Sequence, residues 1–193
     1  MAEGTKKIRM SQDHIKRIVI SGPESTGKTE LSIHLAEILG TIYVPEYARE
    51  YVENLHRKYT YEDVENIARY QISYEDIYAK RARNILIFDT WLIITKVWFD
   101  LVYGKCPEWV ISHIKSSRID LFLVCNTDLP WIPDPVRENG GEKREKLLQL
   151  YCDEIKSFGF KYELVEGVGA IRNENALKIL SLHNLINQNN PPV

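Results

Sequence analysis

The sequence predicts a three-layer α/β fold, a five-stranded parallel sheet with helices on both faces. Three observations predict it. Five short apolar runs alternate with longer amphipathic runs, the pattern of right-handed βαβ crossovers. The first apolar run, Ile18 to Ser21, leads into Gly22-Pro23-Glu24-Ser25-Thr26-Gly27-Lys28-Thr29, which fits G-x-x-x-x-G-K-[ST] without a mismatch. Arg137 and Arg144 flank Gly140-Gly141 beside a proline-rich stretch, so an arginine-bearing lid is expected over about residues 130–150.

Each element has its own signal. Residues 28–39 carry Leu31, Leu35 and Ile38 at helical spacing and stop at Gly40. Thr41-Ile42-Tyr43-Val44 is a second strand, ended by Pro45 and followed by Glu46-Tyr47-Ala48-Arg49-Glu50. Thr60, with Asp63 three residues on, is expected to cap a long helix over 61–83. Residues 84–89 form a third strand, and its run Ile85 to Phe88 is apolar on both faces, as a central parallel strand should be. A helix over 91–103 ends at Gly104, Pro107 opens a short helix, and residues 119–124 form a fourth strand. The loop 126–141 precedes a charged helix over 142–158. A fifth strand spans 161–165, and Asn173 is expected to cap a last helix. Residues 1–16 read as a flexible arm, 17–186 as the folded domain and 187–193 as a frayed tail.

With 193 residues, 44% hydrophobic and 27% charged, the chain has the make-up of one soluble globular domain. A net charge of −2 supplies no global field for nucleic acid or an anionic membrane, and no apolar run is long enough to span a bilayer. Residues 1–16 lack a signal-peptide centre, so a cytoplasmic location is expected. Cys106, Cys125 and Cys152 are scattered without C-x-x-C spacing, which suits free thiols and no zinc site.

The chemistry concentrates at the carboxyl ends of the strands, where ligands of parallel sheets sit. Gly22 and Gly27 lack the Cβ that disfavours positive φ, so the loop can turn its amides inward beside the positive end of a helix. Gly22, Pro23, Glu24, Ser25, Thr26 and Gly27 are therefore expected to cradle the phosphates of ATP. Lys28 would reach the β- and γ-phosphates and the Thr29 hydroxyl would ligate Mg²⁺. Asp89 ends an apolar strand, where a carboxylate can serve Mg²⁺; a helix-capping role is also open. A kinase acting on an alcohol needs an acceptor for the hydroxyl proton, and either Glu46 or Asp89 fits. The alternative for Glu46 is an ion pair with Arg49 or Arg137. Arg137 and Arg144 suit charge screening over ATP, although Arg144 also fits a solvated helix face with Lys143 and Lys146. Tyr74 and Trp91 are candidates for stacking on a planar ring, against the commoner core role of such residues.

These segments also resemble a family. Gly-Pro-Glu-Ser-Thr-Gly-Lys-Thr at 22–29, Glu-Tyr-Ala-Arg-Glu at 46–50, Ala-Arg-Tyr-Gln at 68–71, Asp-Thr at 89–90, Pro-Trp-x-x-Asp at 130–134 and Arg137 occur in the order expected of one domain. That domain is the ribosylnicotinamide kinase of the bacterial NadR family, and the chain resembles it from about residue 16 to 186. The resemblance implies a P-loop NTPase fold of the nucleoside-kinase kind. It also implies transfer of phosphate from ATP to nicotinamide riboside, giving nicotinamide mononucleotide and ADP. By the same resemblance Glu46 and Asp89 would face the ribose hydroxyls and Mg²⁺, Tyr74 would stack on the cationic ring, and Arg137 would belong to the lid; Arg49 and Trp91 are further candidates for contact with the nucleoside. Many members carry a helix-turn-helix segment and an adenylyltransferase domain before the kinase. Only 21 residues precede Gly22, so a kinase domain standing alone is expected. The partner expected is a small-molecule nucleoside, with neither nucleic acid nor membrane; oligomeric state is not legible. Two other readings stay open, a kinase for another nucleoside or nucleotide and a regulatory ATPase. A GTPase switch is disfavoured because Cys125-Asn126-Thr127-Asp128 lacks the Asn-Lys-x-Asp guanine reader.

Overall fold

Among the described residues, five strands, β1 (Lys16–Ser21), β2 (Ile42–Val44), β3 (Ile85–Asp89), β4 (Leu121–Cys125) and β5 (Tyr162–Val165), pair in parallel in the order β2-β3-β1-β4-β5. Among the described residues, seven helices flank them: α1 (Lys28–Ile38), α2 (Tyr47–Glu53), α3 (Tyr61–Ala79), α4 (Leu92–Tyr103), α5 (Glu108–Ser116), α6 (Glu142–Ser157) and α7 (Ala170–Leu182). The computed structural model describes residues 15–133 and 139–187. Most of the expected arm and tail, and Asp134 and Arg137 of the expected lid, lie outside the described residues.

Side chains alternate across a strand, so each central strand feeds two cores. Ile18, Ile20, Ile87 and Leu123 pack with Leu31 and Leu35 of α1 and Leu180 of α7. Val19, Phe88, Phe122 and Val124 pack on the other side with Val64 of α3, Phe99 of α4 and Ile114 of α5. The result is the expected three-layer sandwich, and every residue of β3 and β4 is buried. The chain reverses its direction of travel across the sheet around β1, which opens a crevice at the carboxyl ends of the central strands. None of the described helices is long and apolar enough to cross a membrane.

The local signals hold with a few shifts. Thr60 and Asp63 form the expected capping box on α3, with Asp63 Oδ2 accepting the Thr60 N–H at 2.7 Å. The Arg57 guanidinium, partly offset by burial, holds the Asp63 carboxyl well below the usual carboxylate range, and the Thr60 contacts add to it. Residues 47–53, read only as a segment after the second strand, wind into α2. α3 ends at Ala79 rather than at 83. α7 begins at Ala170, before the expected cap at Asn173, because Gly169 at φ 56° supplies the turn into it.

A buried acid ties the sheet to its helices. Glu75 on α3 is 3% exposed. It accepts from Trp91 Nε1 at 3.2 Å, lies 3.3 Å from His113 Nε2 on α5, and pairs with Arg17 of β1. Burial pushes its carboxyl up, but His113, Arg17 and Trp91 together outweigh it and hold the group below its ordinary 4.5. A depressed folded value adds stability above pH 4.5 that is lost as pH falls through the folded value. Glu75→Gln should cost about 3 kcal/mol at pH 7, since one partner of a buried pair loses its counter-charge. Urea unfolding checks this, and the gap from the parent protein should narrow below pH 4.5.

Candidate active site

The loop between β1 and α1 closes against the end of β4. Gly22 sits at φ 134°, and a Cβ there would lie 2.7 Å from the Cys125 carbonyl oxygen, so only glycine permits the approach. Gly27 at φ 76° caps α1 with no side chain, which leaves the first amides of the helix for an anion. Ser25 is also left-handed, at φ 59°. Inside the loop, Thr26 Oγ1 donates to the Pro23 carbonyl at 2.8 Å and Lys28 Nζ to the same oxygen at 2.9 Å.

Two carboxylates meet this loop. Asp89, the last residue of β3, is 1% exposed, and its Oδ1 has no hydrogen-bond partner among the described residues. Burial pushes its carboxyl up to about 6, and the Glu46 charge adds to this, while the Thr29 hydroxyl and Lys28 pull it back. The four side chains are therefore electrostatic neighbours. Thr90 follows at φ 72°, an unusual state for a β-branched residue, and donates its N–H to the Ile20 carbonyl at 3.0 Å. This turn takes the chain out of the sheet directly behind Asp89. Glu46 is half-buried at the N-cap of α2, and its side chain makes no capping hydrogen bond to that helix. The alternative pairing with Arg49 is not seen; Arg49 bridges to Glu53 at 2.9 Å on the exposed face of α2.

The variable positions of the loop hold its neighbours. Glu24 accepts the Asn139 N–H at 3.0 Å and Asn139 Nδ2 at 3.1 Å. Ser25 Oγ accepts the Ile132 N–H at 3.0 Å. Arg144, the first buried residue of α6, donates to the carbonyls of Leu129 at 3.0 Å and Ser25 at 3.2 Å. The solvated-face reading of Arg144 is thereby corrected, because the residue is only 5% exposed and its guanidinium clamps the loop backbone.

On the other flank, Tyr74 belongs to a row of tyrosines. Its ring lies 5.5 Å from Tyr47, whose ring lies tilted at 4.4 Å from Tyr70. Burial, then Tyr70, raises the Tyr47 phenol to about 12. Tyr47, Glu50, Tyr51, Asn54 and Leu55 line an open cleft of about 260 Å³. Trp91 is a correction. It is 2% exposed, edge-on to Phe122 and Phe160 and bonded to Glu75, so it has no open face for a ligand ring.

Sequence reasoning missed three residues. Tyr151 on α6 is buried, and burial followed by the charges of Glu24 and Glu46 raises its phenol. Asp128 and Arg172 join the loops after β4 and β5. A lone Tyr or Arg within a helical pattern carries no signal of such a place.

The residues present fit a nucleotide with Mg²⁺. The cradle tolerates no Cβ at Gly22, and a dry carboxylate oxygen lacks a partner beside the Thr29 hydroxyl. No group of three or more His, Cys, Asp or Glu that could hold a metal occurs among the described residues. A Mg²⁺–nucleotide site does not need one, because phosphates and water fill most of its octahedron.

The raised folded value of Asp89 makes it stabilising only while protonated. Its contribution is fully present below 3.8 and is lost as pH rises through about 6. Asp89→Asn should thus unfold at higher denaturant than the parent at pH 7.5, by on the order of 2 kcal/mol. The difference should vanish near pH 4 in urea titrations without nucleotide.

Two curated relatives, each called Trifunctional NAD biosynthesis/regulator protein NadR, are 29% identical to the chain. That of Salmonella typhimurium aligns over 139 residues, 70% of this chain and 34% of that protein; that of Escherichia coli aligns over 159 residues, 79% and 38%. The chain thus spans little more than a third of the relatives it matches. Among solved structures, NadR protein in complex with NR superposes with a TM-score of 0.75 at 21% identity, over 91% of this chain and 52% of that one. NadR protein with NAD and AMP-PNP gives 0.71 at 22%, over 91% and 51%. Thymidylate kinase from Ehrlichia chaffeensis gives 0.62 at 15%, over 87% and 98%. These likenesses establish the P-loop kinase fold. The AAA domain model (AAA_28) matches residues 17–172, most of the chain, and the chain belongs to that P-loop family.

Proposed function

We propose that the chain is an ATP-dependent kinase that phosphorylates the 5′-hydroxyl of nicotinamide riboside, giving nicotinamide mononucleotide and ADP. The observation that carries this reading is the meeting of Lys28, Thr29, Asp89 and Glu46 at the strand ends. The similarity to NadR, and to its complex with NR, supports the choice of nucleoside. The domain boundaries and the cytoplasmic location expected from the sequence belong to the same proposal.

In this reading the loop amides and the α1 N-terminus hold the β- and γ-phosphates, and Lys28 turns from the Pro23 carbonyl to them. Thr29 and Asp89 would hold Mg²⁺, which when bound neutralises charge on the phosphate oxygens. Glu46, whose charge acts on Asp89, takes the hydroxyl proton. The substrate oxygen forms the new bond to the γ-phosphorus, and the bond to the bridging oxygen breaks. ADP leaves with that electron pair. Tyr74 and its tyrosine neighbours, with Glu50 beside them, offer an electron-rich wall for a cationic ring.

Purified protein with Mg-ATP and a panel of nucleosides should yield nicotinamide mononucleotide as the preferred product by mass detection. Rapid phosphorylation of another nucleoside would keep the kinase and change the acceptor. ADP release indifferent to every nucleoside would point to a regulatory ATPase. Lys28→Ala should lower turnover at least about 100-fold with little change in unfolding midpoint. Glu46→Gln should lower kcat by about 100-fold while leaving the nucleoside KM nearly unchanged. Unchanged kcat in that variant would move the proton acceptor to Asp89.

A further inference from the structure

We propose that Arg172 is a positioning residue for the nucleotide side of the site, which it builds from behind without touching the ligand. Arg172 lies in the first turn of α7 and is 3% exposed. Its guanidinium joins three loops. Nε donates to the Gly167 carbonyl at 2.8 Å, and Nη1 to the carbonyls of Thr26 at 3.1 Å and Val165 at 3.3 Å. Nη2 pairs with Asp128 Oδ1. The other Asp128 oxygen accepts the Gly167 N–H at 2.6 Å. Asn126 Nδ2 adds a bond to Glu166 Oε1 at 3.1 Å. Gly167 at φ 103° lets the β5–α7 loop fold back so closely that a Cβ would lie 2.8 Å from Ile171 Cγ2.

The bond to Thr26 gives this cluster a part in binding. Thr26 is fully buried inside the phosphate loop. No peptide bond among the described residues is cis, so the Thr26 carbonyl and the Gly27 N–H point in opposite directions across one plane. Drawing the carbonyl back to Arg172 turns the Gly27 N–H forward, into the concave face that faces an anion. The same guanidinium sets the loops after β4 and β5, which border the phosphate loop at the strand ends. A planar fork with five donors can serve all these acceptors at once, whereas a lysine ammonium in the same space cannot match their directions.

The inference rests on the nucleotide-binding reading, and calorimetric titration with ADP separates the two. The parent protein, Arg172→Lys and Asp128→Asn are titrated at a temperature where unfolding curves show each folded. Arg172→Lys should weaken ADP binding by about tenfold or more, and raise the KM for ATP alike, with the nucleoside KM within about twofold. Asp128→Asn, which keeps the guanidinium, should act in the same direction but less. The double variant should be no weaker than Arg172→Lys alone, because both changes break one unit. A lower unfolding midpoint with ADP affinity within about twofold of the parent in both variants would make the cluster purely structural and overturn the inference. No ADP binding by the parent would remove the nucleotide reading itself, and this one with it.

Discussion

The passage of Gly22 over the Cys125 carbonyl is the constraint on which the site depends. The contact brings the loop across the end of β4 instead of letting it bulge away, and a methyl group would prevent it. Because β1 lies between β3 and β4, a loop held down there lies beside both neighbours. Asp89 on β3 and Thr29 at the start of α1 then meet without any long side chain having to reach. The parallel sheet supplies the rest, since both cores beneath it are apolar and hold the strand ends in register.

The phosphate loop has two faces with different work. Outward, the Glu24 and Ser25 side chains bond to Asn139 and Ile132, and the Thr26 backbone carbonyl bonds to Arg172; inward, its amides are left for an anion. Arg144 adds a second guanidinium on the Ser25 carbonyl. The loop is thus held by two buried cations on its outer side while Asp89 and Glu46 sit across from Lys28. Such a separation of charge keeps the carboxylates apart from the arginines that would otherwise neutralise them.

Most of the fold was legible because periodicity and punctuation are local. Ile85 to Phe88 could only be a doubly buried strand, and Gly40, Gly104 and Gly159 do end their helices at positive φ. The phosphate loop was legible because its chemistry needs particular residues at fixed spacing. The misreadings arose where tertiary contacts decide. Trp91 could not be told from a ligand-stacking ring until Phe122, Phe160 and Glu75 were placed around it. Arg144 looked like one of several basic residues on a charged helix, and only the packing of α6 shows that it faces inward. Arg172 and Asp128 are 44 residues apart, and neither stands in a motif.

The strand order has a consequence for the outer rim of the sheet. Central placement of β1 consigns β2 and β5 to the edges, where unpaired backbone amides and carbonyls can recruit a strand from another molecule. β2 offers only three residues and is stopped by Pro45, which has no N–H to donate. β5 offers four, and its outward Glu163 is engaged by His183 at 2.9 Å. Both rims are therefore too short or too charged to seed a growing ladder, so the connectivity that centres the phosphate loop also limits unwanted self-assembly.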